Sequence, residues 1–405
     1  MSRTIITIAA AVMLSAATLL SPLSASARRC EDKPPETLLS LYRKSSEIHV
    51  GRYVRTEDFA VIEQAEDYTV VQIRKHFTIS ETLKGTARTS FFTQEEEYRY
   101  QEEGLTEDVE YDDGHGYEMV KLQAGDAVML FTAADPETGN LILTDYVDGV
   151  KKLDADEMKS YTQRIEELSS LFKSGEPTEA AALKWILRAI EDPITRWEGA
   201  YELLSGVQYF EWKKEREEYL AEKTAKGETI EEWEYDLNYF DGGFDNSGYA
   251  KLLSESDRRR LVDLLVESVP VKRTKDNEYS LIVRGQDALT DLVGRWADRR
   301  VAGYLLTQIR SGDMQPYRTG QLMEVVANAL GDSTLKGLGE KYSEIYYDDD
   351  ELIEADSHVQ VPVDPASGQP VKASTYGELR RWVMARFLEK SDLLLTTAGV
   401  EQPSN

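Results

Sequence analysis

Cysteine is almost absent from this sequence, which contains one, Cys30, among 405 residues. A single cysteine excludes an internal disulfide bond, so the fold must be stabilised by buried apolar surface. We interpret Cys30 as a free thiol near the N-terminus, with an intermolecular bridge as the alternative. At this length two or three domains are expected, at about 100–200 residues each.

Basic residues are outnumbered, with 47 lysines and arginines against 74 acidic residues and a formal net charge of −27. A chain this acidic repels phosphate backbones, and no basic stripe stands out, so we exclude nucleic-acid binding. The charge favours solubility and the attraction of cations or basic partners. A solvated acidic surface is the commoner explanation.

Long apolar runs are scarce, and the longest lies at the N-terminus, from Ile5 to Leu20, after the positive charge of Arg3. Ala25-Ser26-Ala27 follows as a small-x-small cleavage site. A membrane anchor needs about 20 predominantly apolar residues, and this run is shorter. We therefore predict a cleaved signal peptide over 1–27, a periplasmic or secreted mature protein, and no transmembrane segment in it.

Signatures of common catalytic sites are also absent. The sequence has no H-x-x-x-H, no G-x-S-x-G and no G-x-x-x-x-G-K pattern, which argues against a protease-type zinc site, the commonest serine hydrolases and the use of ATP or GTP. Paired carboxylates for glycoside hydrolysis could lie anywhere in so acidic a chain, but no spacing identifies them.

The segment 47–147 alternates β-branched or aromatic residues with polar ones, which predicts antiparallel strands. One strand is predicted at Ile48–Val54, a long one at 68–83 and a third at 89–93. Residues 126–132 and 140–147 form a predicted hairpin, joined by the turn-type residues 135–139. The segment 111–117, which follows an acidic run that begins at Glu95, is interpreted as a long surface loop. These strands predict a small antiparallel barrel.

A predicted leading helix at 35–44 precedes "I-H-V-G-R" at 48–52, "F-T-I-S-E-T-L-K-G" at 77–85 and "G-D-A-V-M-L-F" at 125–131. This arrangement resembles the netrin-like, or tissue-inhibitor-of-metalloproteinase-like, OB fold. In that family the resemblance implies inhibition through an N-terminal disulfide-bonded cysteine that chelates zinc. Arg28 and Arg29 precede Cys30 here, and no second cysteine exists, so the inhibitory chemistry does not carry over.

From Asp154 onward the apolar residues recur with the helical period, which places a domain boundary there. Segments 182–193, 288–299 and 321–332 are each predicted as an apolar helix that ends in a turn with an aspartate and is followed at once by another helix; the aspartates are Asp192, Asp298 and Asp332. Asp298 and Asp332 lie 34 residues apart, and Asp192 and Asp298 lie 106 apart, which is close to three repeats of that length. This spacing resembles HEAT-like helical repeats, with an irregular helical bundle as the alternative.

The predicted fold class is therefore α+β with two domains. An OB-like antiparallel β-barrel covers 28–153, and an α-helical HEAT-like solenoid covers 154–390 and precedes a flexible tail at 391–405. Insertions interrupt the solenoid at 211–248 and 346–373, and the second is predicted to contain a hairpin that turns at 364–368.

Aromatic side chains are dense between Trp197 and Tyr249, which predicts a surface for a protein partner or a glycan. The alternative is an insertion that packs its own aromatic residues onto the solenoid. The ligand-binding residues that we predict are Trp212, Trp233, Tyr235, Tyr239 and Phe240.

Two further sites are predicted in glycine-containing segments. His115, flanked by glycines and close to Asp112 and Asp113, is a possible exposed loop site, because the carboxylates would raise its pKa; a mobile loop is the alternative. The second is a calcium site with Asp241, Asp245 and Asn246 as ligands. Against it, position 252 is Leu where an EF-hand requires Glu. No other cofactor is predicted.

We conclude from the sequence that this is an exported, non-catalytic binding or scaffolding protein of the cell envelope or extracellular space. An exported hydrolase of cell-wall or polysaccharide material is the alternative, and a protease-inhibitor-like protein is the third possibility. Both predicted architectures mostly bind other molecules, which is an analogy from fold.

Overall fold

The chain has a mixed α+β fold, as predicted, with an antiparallel six-stranded sheet followed by helices. The computed structural model describes residues 36–65, 68–100, 121–135, 140–145, 148–226, 249, 252–274, 277, 280–312, 314–345, 351–353, 359–364 and 368–397.

The six strands of the sheet are β1 (Glu47–Gln64), β2 (Tyr68–Lys84), β3 (Ser90–Tyr100), β4 (Ala127–Ala134), β5 (Leu141–Leu143) and β6 (Val150–Lys152). Their order is β3-β2-β1-β4-β5, and β6 also pairs with β4. The predicted hairpin of β4 and β5 is confirmed, with Thr132 opposite Leu143.

The sheet is not closed into a barrel among the described residues, because no strand pairing joins β3 to β5. The lengths of the strands explain this. β1 and β2 contain 18 and 17 residues, whereas β4 contains 8. β4 pairs only with Glu47–Arg52, so the rest of β1 extends past it. The long ribbon cannot close against such short strands.

The extended ribbon forms a three-stranded arm, which we define as residues 54–64 of β1, 68–76 of β2 and 92–100 of β3. Its register runs from Arg55 opposite His76 to Gln64 opposite Thr69, and β3 continues it with Phe92 opposite His76. The third predicted strand, at 89–93, is longer in the structure, because β3 continues through the acidic residues from Glu95 and ends at Tyr100; the predicted loop at 111–117 lies outside the described residues. Acidic residues suit this strand because alternate positions face solvent.

The helices are α1 (Leu38–Lys44), α2 (Ala155–Leu171), α3 (Glu179–Glu191), α4 (Arg196–Lys226), α5 (Glu255–Val266), α6 (Leu281–Gly294), α7 (Arg299–Ser311), α8 (Pro316–Leu330), α9 (Ser333–Ser343) and α10 (Tyr376–Thr397). The predicted leading helix is α1, whose N-cap is Thr37.

Aspartates set the starts of several helices, as the sequence spacing indicates. Asp154 caps α2, and Glu157 completes a capping box with it. Asp298 accepts a hydrogen bond from the N–H of Arg300 at the start of α7, and Asp332 caps α9 in the same way. These side chains satisfy backbone N–H groups that have no partner within the helix. The predicted change to helical structure at Asp154 is confirmed.

The helices after α2 pack as two rows. In one row α4 contacts α6, α6 contacts α8, and α8 contacts α10; in the other, α5 contacts α7. Helices from the two rows also pack together in the pairs α3 with α4, α5 with α6, α7 with α8, and α9 with α10. The predicted late hairpin is confirmed as β7 (Val363–Asp364) and β8 (Gln369–Pro370).

One main apolar core runs from the sheet into the helices. Met129 and Phe131 of β4 belong to it together with residues of every described helix. The opposite face of β4 presents Val128 and Leu130 to a small second core with Tyr53. β4 is therefore buried on both faces. Among the described residues no helix is long and apolar enough to cross a membrane.

Candidate functional site

Along β3 the arm has one buried and one exposed face, whereas residues 54–64 of β1 are exposed on both faces apart from the half-buried Glu57. In β3, Thr93 and Glu95 are buried, whereas the alternate residues Phe92, Gln94 and Glu96 are exposed. This alternation follows from strand geometry, in which successive side chains point to opposite faces of a sheet. The exposed face extends away from both apolar cores.

Two phenylalanines on this face are about half exposed. Phe59 of β1 is 50% exposed and Phe92 of β3 is 48% exposed. The guanidinium of Arg74, on the strand between them, lies 3.3 Å from the centroid of the Phe59 ring and 5.1 Å from that of Phe92. The three side chains form a stack, which we call the Phe59–Arg74–Phe92 stack. Arginine stacked on aromatic faces is attracted by the ring quadrupole.

The polar contacts of Arg74 are long. Its Nε and Nη2 both lie 3.4 Å from Oε1 of Gln94, at the outer limit for a hydrogen bond. Among the residues that the structure describes, no carboxylate lies within ion-pair distance of this guanidinium. Arg74 is thus held in place by the two rings rather than by an acidic side chain.

Other cations of the arm do have carboxylate partners. Arg55 lies 2.8 Å from Glu57, and His76 Nε2 lies 2.9 Å from the other oxygen of Glu57. Arg99 contacts both oxygens of Asp58, at 2.8 and 2.9 Å. Arg55 and then His76 lower the pKa of Glu57, and Arg99 lowers that of Asp58. Both acids are therefore ionised at neutral pH, and each forms an ion pair with an arginine of the arm.

The edge of the arm is less suited to binding than its face. Beyond Arg52 the described structure gives β1 no second neighbour, which leaves an edge strand. Three irregularities interrupt its register, at Tyr53/Arg55, Asp58/Ala60 and Val61/Glu63. Bulges and charged residues protect edge strands from pairing with other chains. We therefore place the candidate site on the face that carries the Phe59–Arg74–Phe92 stack.

His49 forms a second polar group, at the root of the arm. The ring is fully buried, with Nδ1 3.0 Å from Thr82 Oγ1 and Nε2 3.0 Å from Glu47 Oε2. Arg88 donates to Glu47 at 2.5 Å and, as the main cause, lowers its pKa. Burial lowers the pKa of His49 despite the carboxylate beside it.

The order carboxylate, histidine, hydroxyl resembles a catalytic triad. However, the two residues His49 and Thr82 are paired across β1 and β2, and the shallow depression nearby is lined by Ala87, Arg88, Thr89 and Ser90 rather than by Thr82. A reacting hydroxyl must line a cavity that admits substrate, and Thr82 does not line this depression. We interpret the hydrogen bonds among Glu47, His49 and Thr82 as structural contacts that hold β1 and β2 together.

A third polar group lies between the sheet and the helices, around Glu198 of α4, and we call it the junction. Glu198 is fully buried. It accepts hydrogen bonds from the N–H of Leu38 at 2.6 Å and from the hydroxyl of Tyr161 at 2.7 Å, and Lys151 lies 3.2 Å away. One carboxylate therefore holds α1, α2 and β6 to α4.

Glu202 lies one turn further along α4 and accepts a hydrogen bond from the Thr37 hydroxyl. Burial raises the pKa of Glu202 to about 7, against the opposing effects of Thr37 and Arg43. Burial also raises the pKa of Asp148, whose carboxylate accepts from the Glu36 N–H at 2.7 Å. The junction is a set of buried acids engaged with helix N-termini, which is a structural role.

Most residues of the predicted aromatic site fall outside the described residues, and the predicted exposed-loop site and calcium ligands do so entirely. Outside lie Trp233, Tyr235, Tyr239, Phe240, Asp112, Asp113, His115, Asp241, Asp245 and Asn246. Trp212 lies in α4, but its side chain is also outside the described part. Within the described ranges no group of three or more His, Cys, Asp or Glu side chains could hold a metal. These sites stay predictions.

The described aromatic residues of the dense segment are mostly packed. Trp197 is 5% exposed and stacks on Tyr201 at a centroid distance of 5.1 Å. Tyr249 is 5% exposed and accepts a hydrogen bond from Arg43 at 2.6 Å. Tyr219, at 45% exposed, is the exception. Trp197 and Tyr249 are therefore packed against the rest of the fold, as in the alternative to a binding surface, and are not exposed to a ligand.

Sequence reasoning missed the arm. The run from Tyr68 was recognised as a long strand, but the pairing of Arg74 with residues 15 or more positions away in β1 and β3 depends on register. The signal that was available is the alternation of Phe92, Gln94 and Glu96 with Phe91, Thr93 and Glu95, which has the period of a strand.

Comparison of the chain with protein-family models, with curated proteins and with solved structures finds no match. The resemblance to netrin-like domains and to HEAT-like repeats stays a prediction. Function is therefore inferred from the residues of this chain.

Proposed function

We propose that this chain is an exported, non-catalytic protein-binding module and that the exposed face of the arm is its contact surface. The observation that carries the proposal is the Phe59–Arg74–Phe92 stack, which is half-exposed on the arm, with the reverse side buried along β3 at Thr93 and Glu95. Phenylalanine and arginine are enriched at interfaces, and arginine is among the residues that dominate binding energy.

The remaining described chemistry favours binding over catalysis. Glu198 already receives two hydrogen-bond donors and a lysine, and Glu47 is engaged by Arg88 and His49. A glycosidase acid needs a carboxyl group that faces substrate. These carboxylates instead hold elements of the fold together, which supports the binding function over the hydrolase.

The two halves of the chain supply different parts of this function. The sheet presents the arm, and the paired rows of helices from α3 to α10 support the proposal of a HEAT-like stack behind it. We also propose that the sheet is a divergent OB-like domain whose strands β1 and β2 lengthened into the arm. The signal-peptide features at 1–27 support action outside the cytoplasm, in the periplasm or as a secreted protein.

Photo-cross-linking tests the proposed contact surface. A photoreactive phenylalanine analogue is placed at position 59 of the full chain, which is expressed in its native cells and irradiated. We expect one discrete adduct with another protein. The matched control carries the same analogue at Tyr317 in α8, which is 74% exposed and far from the arm in sequence.

Phe92→Ser in the position-59 protein should remove the adduct, because Phe92 completes the same face. The proposal is overturned if position 59 gives no protein adduct, or if positions 59 and 317 give the same one. Cross-linking to carbohydrate instead of protein would show that this face of the arm binds a glycan.

A further inference from the structure

The Phe59–Arg74–Phe92 stack restricts how Arg74 can bind. A guanidinium is planar, with five N–H donors around its edge. The centroids of the Phe59 and Phe92 rings lie 3.3 and 5.1 Å from its central carbon, so the rings cover apolar surface of the guanidinium and leave N–H groups of the edge as the polar surface. The side chain is thereby ordered before any ligand arrives, which lowers the entropy that binding costs.

The donors of this edge are poorly used within the chain. The described partner is one amide oxygen, Oε1 of Gln94, at 3.4 Å from both Nε and Nη2. Arginine pairs with carboxylates through two parallel hydrogen bonds of about 2.7–2.9 Å. Replacement of one distant amide oxygen by a carboxylate would therefore gain two short charge-assisted bonds.

The other arginines of the described arm each have a carboxylate partner, whereas Arg74 does not. Glu57 contacts Arg55 and His76, and Asp58 contacts Arg99. Glu57 lies directly opposite Arg74 across β1 and β2, but its carboxylate is turned to Arg55 and His76, and no carboxylate of the described part lies within ion-pair distance of Arg74. Arg74 is therefore the arginine of the described arm that can accept an additional carboxylate, and two half-exposed phenylalanines lie beside it.

We infer that the partner of this face presents an Asp or Glu carboxylate to Arg74 and places an apolar side chain next to it, against Phe59 or Phe92. The inference rests on the proposed protein-binding function and specifies the chemistry of the partner: an acidic peptide segment with an adjacent aliphatic or aromatic residue. Nucleic-acid phosphate is disfavoured as the anion, because the net charge of −27 repels a polyanion.

A displayed library of random 12-residue peptides, selected against the full chain at 150 mM salt, tests the inference. At this ionic strength charges more than about 8 Å apart are screened, so the acidity of the whole chain does not mask a local contact. We expect the enriched peptides to share an Asp or Glu beside an apolar residue. Replacement of that acid by Asn or Gln should weaken binding about thirtyfold, the size typical of an interface hot spot.

Variants of the chain separate the carboxylate from the apolar contact. Arg74→Gln should weaken the selected peptides about thirtyfold, and Arg74→Lys about tenfold, because lysine keeps the charge but loses the planar fork. Arg259→Gln is the control, since Arg259 on α5 is an arginine outside the arm whose side chain is 71% exposed, and it should leave binding unchanged. Unchanged melting temperatures show that each variant is folded.

The outcomes distinguish this inference from the proposed function. Selected peptides that lose binding to Phe59→Ala and Phe92→Ala but are indifferent to Arg74→Gln and to loss of their acid would overturn the inference and leave the contact surface in place. Selected peptides that bind the two phenylalanine variants normally would overturn both.

Discussion

Two cation–aromatic stacks lie in different regions of this molecule and have opposite surroundings. At α4 the guanidinium of Arg284 lies 4.2 Å from the ring of Trp197, which stacks on Tyr201 and is 5% exposed. On the arm, Arg74 lies between Phe59 and Phe92, both about half exposed.

The difference separates a packing role from a binding role. Trp197 belongs to the main core, so its contacts are already made within the fold. The rings at Arg74 contact the guanidinium, and Phe92 also contacts the His76 ring, but about half of the surface of each phenylalanine is left in water. Exposed apolar area of this kind indicates an interaction surface when it is clustered, whereas single exposed apolar residues are ordinary.

The largest expected effect is at the buried stack. Trp197→Ala should lower the free energy of unfolding by about 3–5 kcal/mol, because it removes a large core side chain and leaves a cavity. Phe92→Ala on the arm should lower it by about 1 kcal/mol or less. Urea unfolding measures both. Equal losses for the two variants would break the comparison, since Phe92 would then be as integral to the fold as Trp197.

The buried junction should make stability depend on pH. Burial raises the pKa of Glu202 from 4.5 to about 7. The folded carboxyl therefore holds a proton that the unfolded chain releases, so the free energy of unfolding falls as pH rises through this window.

Glu202→Gln stays neutral at all pH values. Between pH 5 and pH 8 it should gain about 2–3 kcal/mol of stability relative to the parent chain. Urea unfolding at several pH values gives this difference, and Glu255→Gln, at an exposed acid of α5, is the control. Parallel pH profiles for the Glu202 variant and the parent would show that Glu202 is ionised in the fold.

The root of the arm should tolerate no extra volume. A Cβ at Gly51 would lie 2.2 Å from the backbone oxygen of Thr78, so Gly51→Ala should cost about 1–3 kcal/mol by forcing β1 and β2 apart. Gly303→Ala in α7 is the matched control, since a Cβ there meets nothing within 4 Å, and it should stabilise the helix by about 0.5–1 kcal/mol. Thermal unfolding of both variants measures the contrast, and an unaffected Gly51 variant would mean that the arm can shift at its root.

The smallest expected effect on stability is at the exposed stack. Arg74→Gln should change the free energy of unfolding by about 0.5 kcal/mol or less, because an exposed cation–π contact is worth about 0.5–1 kcal/mol and the glutamine still packs on the rings. Urea unfolding is the measurement. A loss of several kcal/mol would place Arg74 among the structural residues, alongside Arg284.

Local patterns made much of the fold predictable. The strand alternation from Ile48, the helical period after Asp154, the aspartates Asp298 and Asp332 as starts of helices, and the late hairpin all depend on residues close together in the chain. The candidate site was not predictable in this way. Phe59, Arg74 and Phe92 lie far apart in the sequence. A phenylalanine in a strand is expected in the core unless the face of the sheet on which it lies is known to be exposed.

The sequence by itself determined the α+β class, the places where helices begin, and the absence of internal disulfides, because capping, periodicity and cysteine count act locally or by composition. Tertiary structure decided that β1 and β2 outrun β4, that Trp197 is buried, and that Arg74 lies between two phenylalanines without a carboxylate. These facts depend on strand register and on which faces pack together, and a one-residue change in register reverses every side chain of a strand.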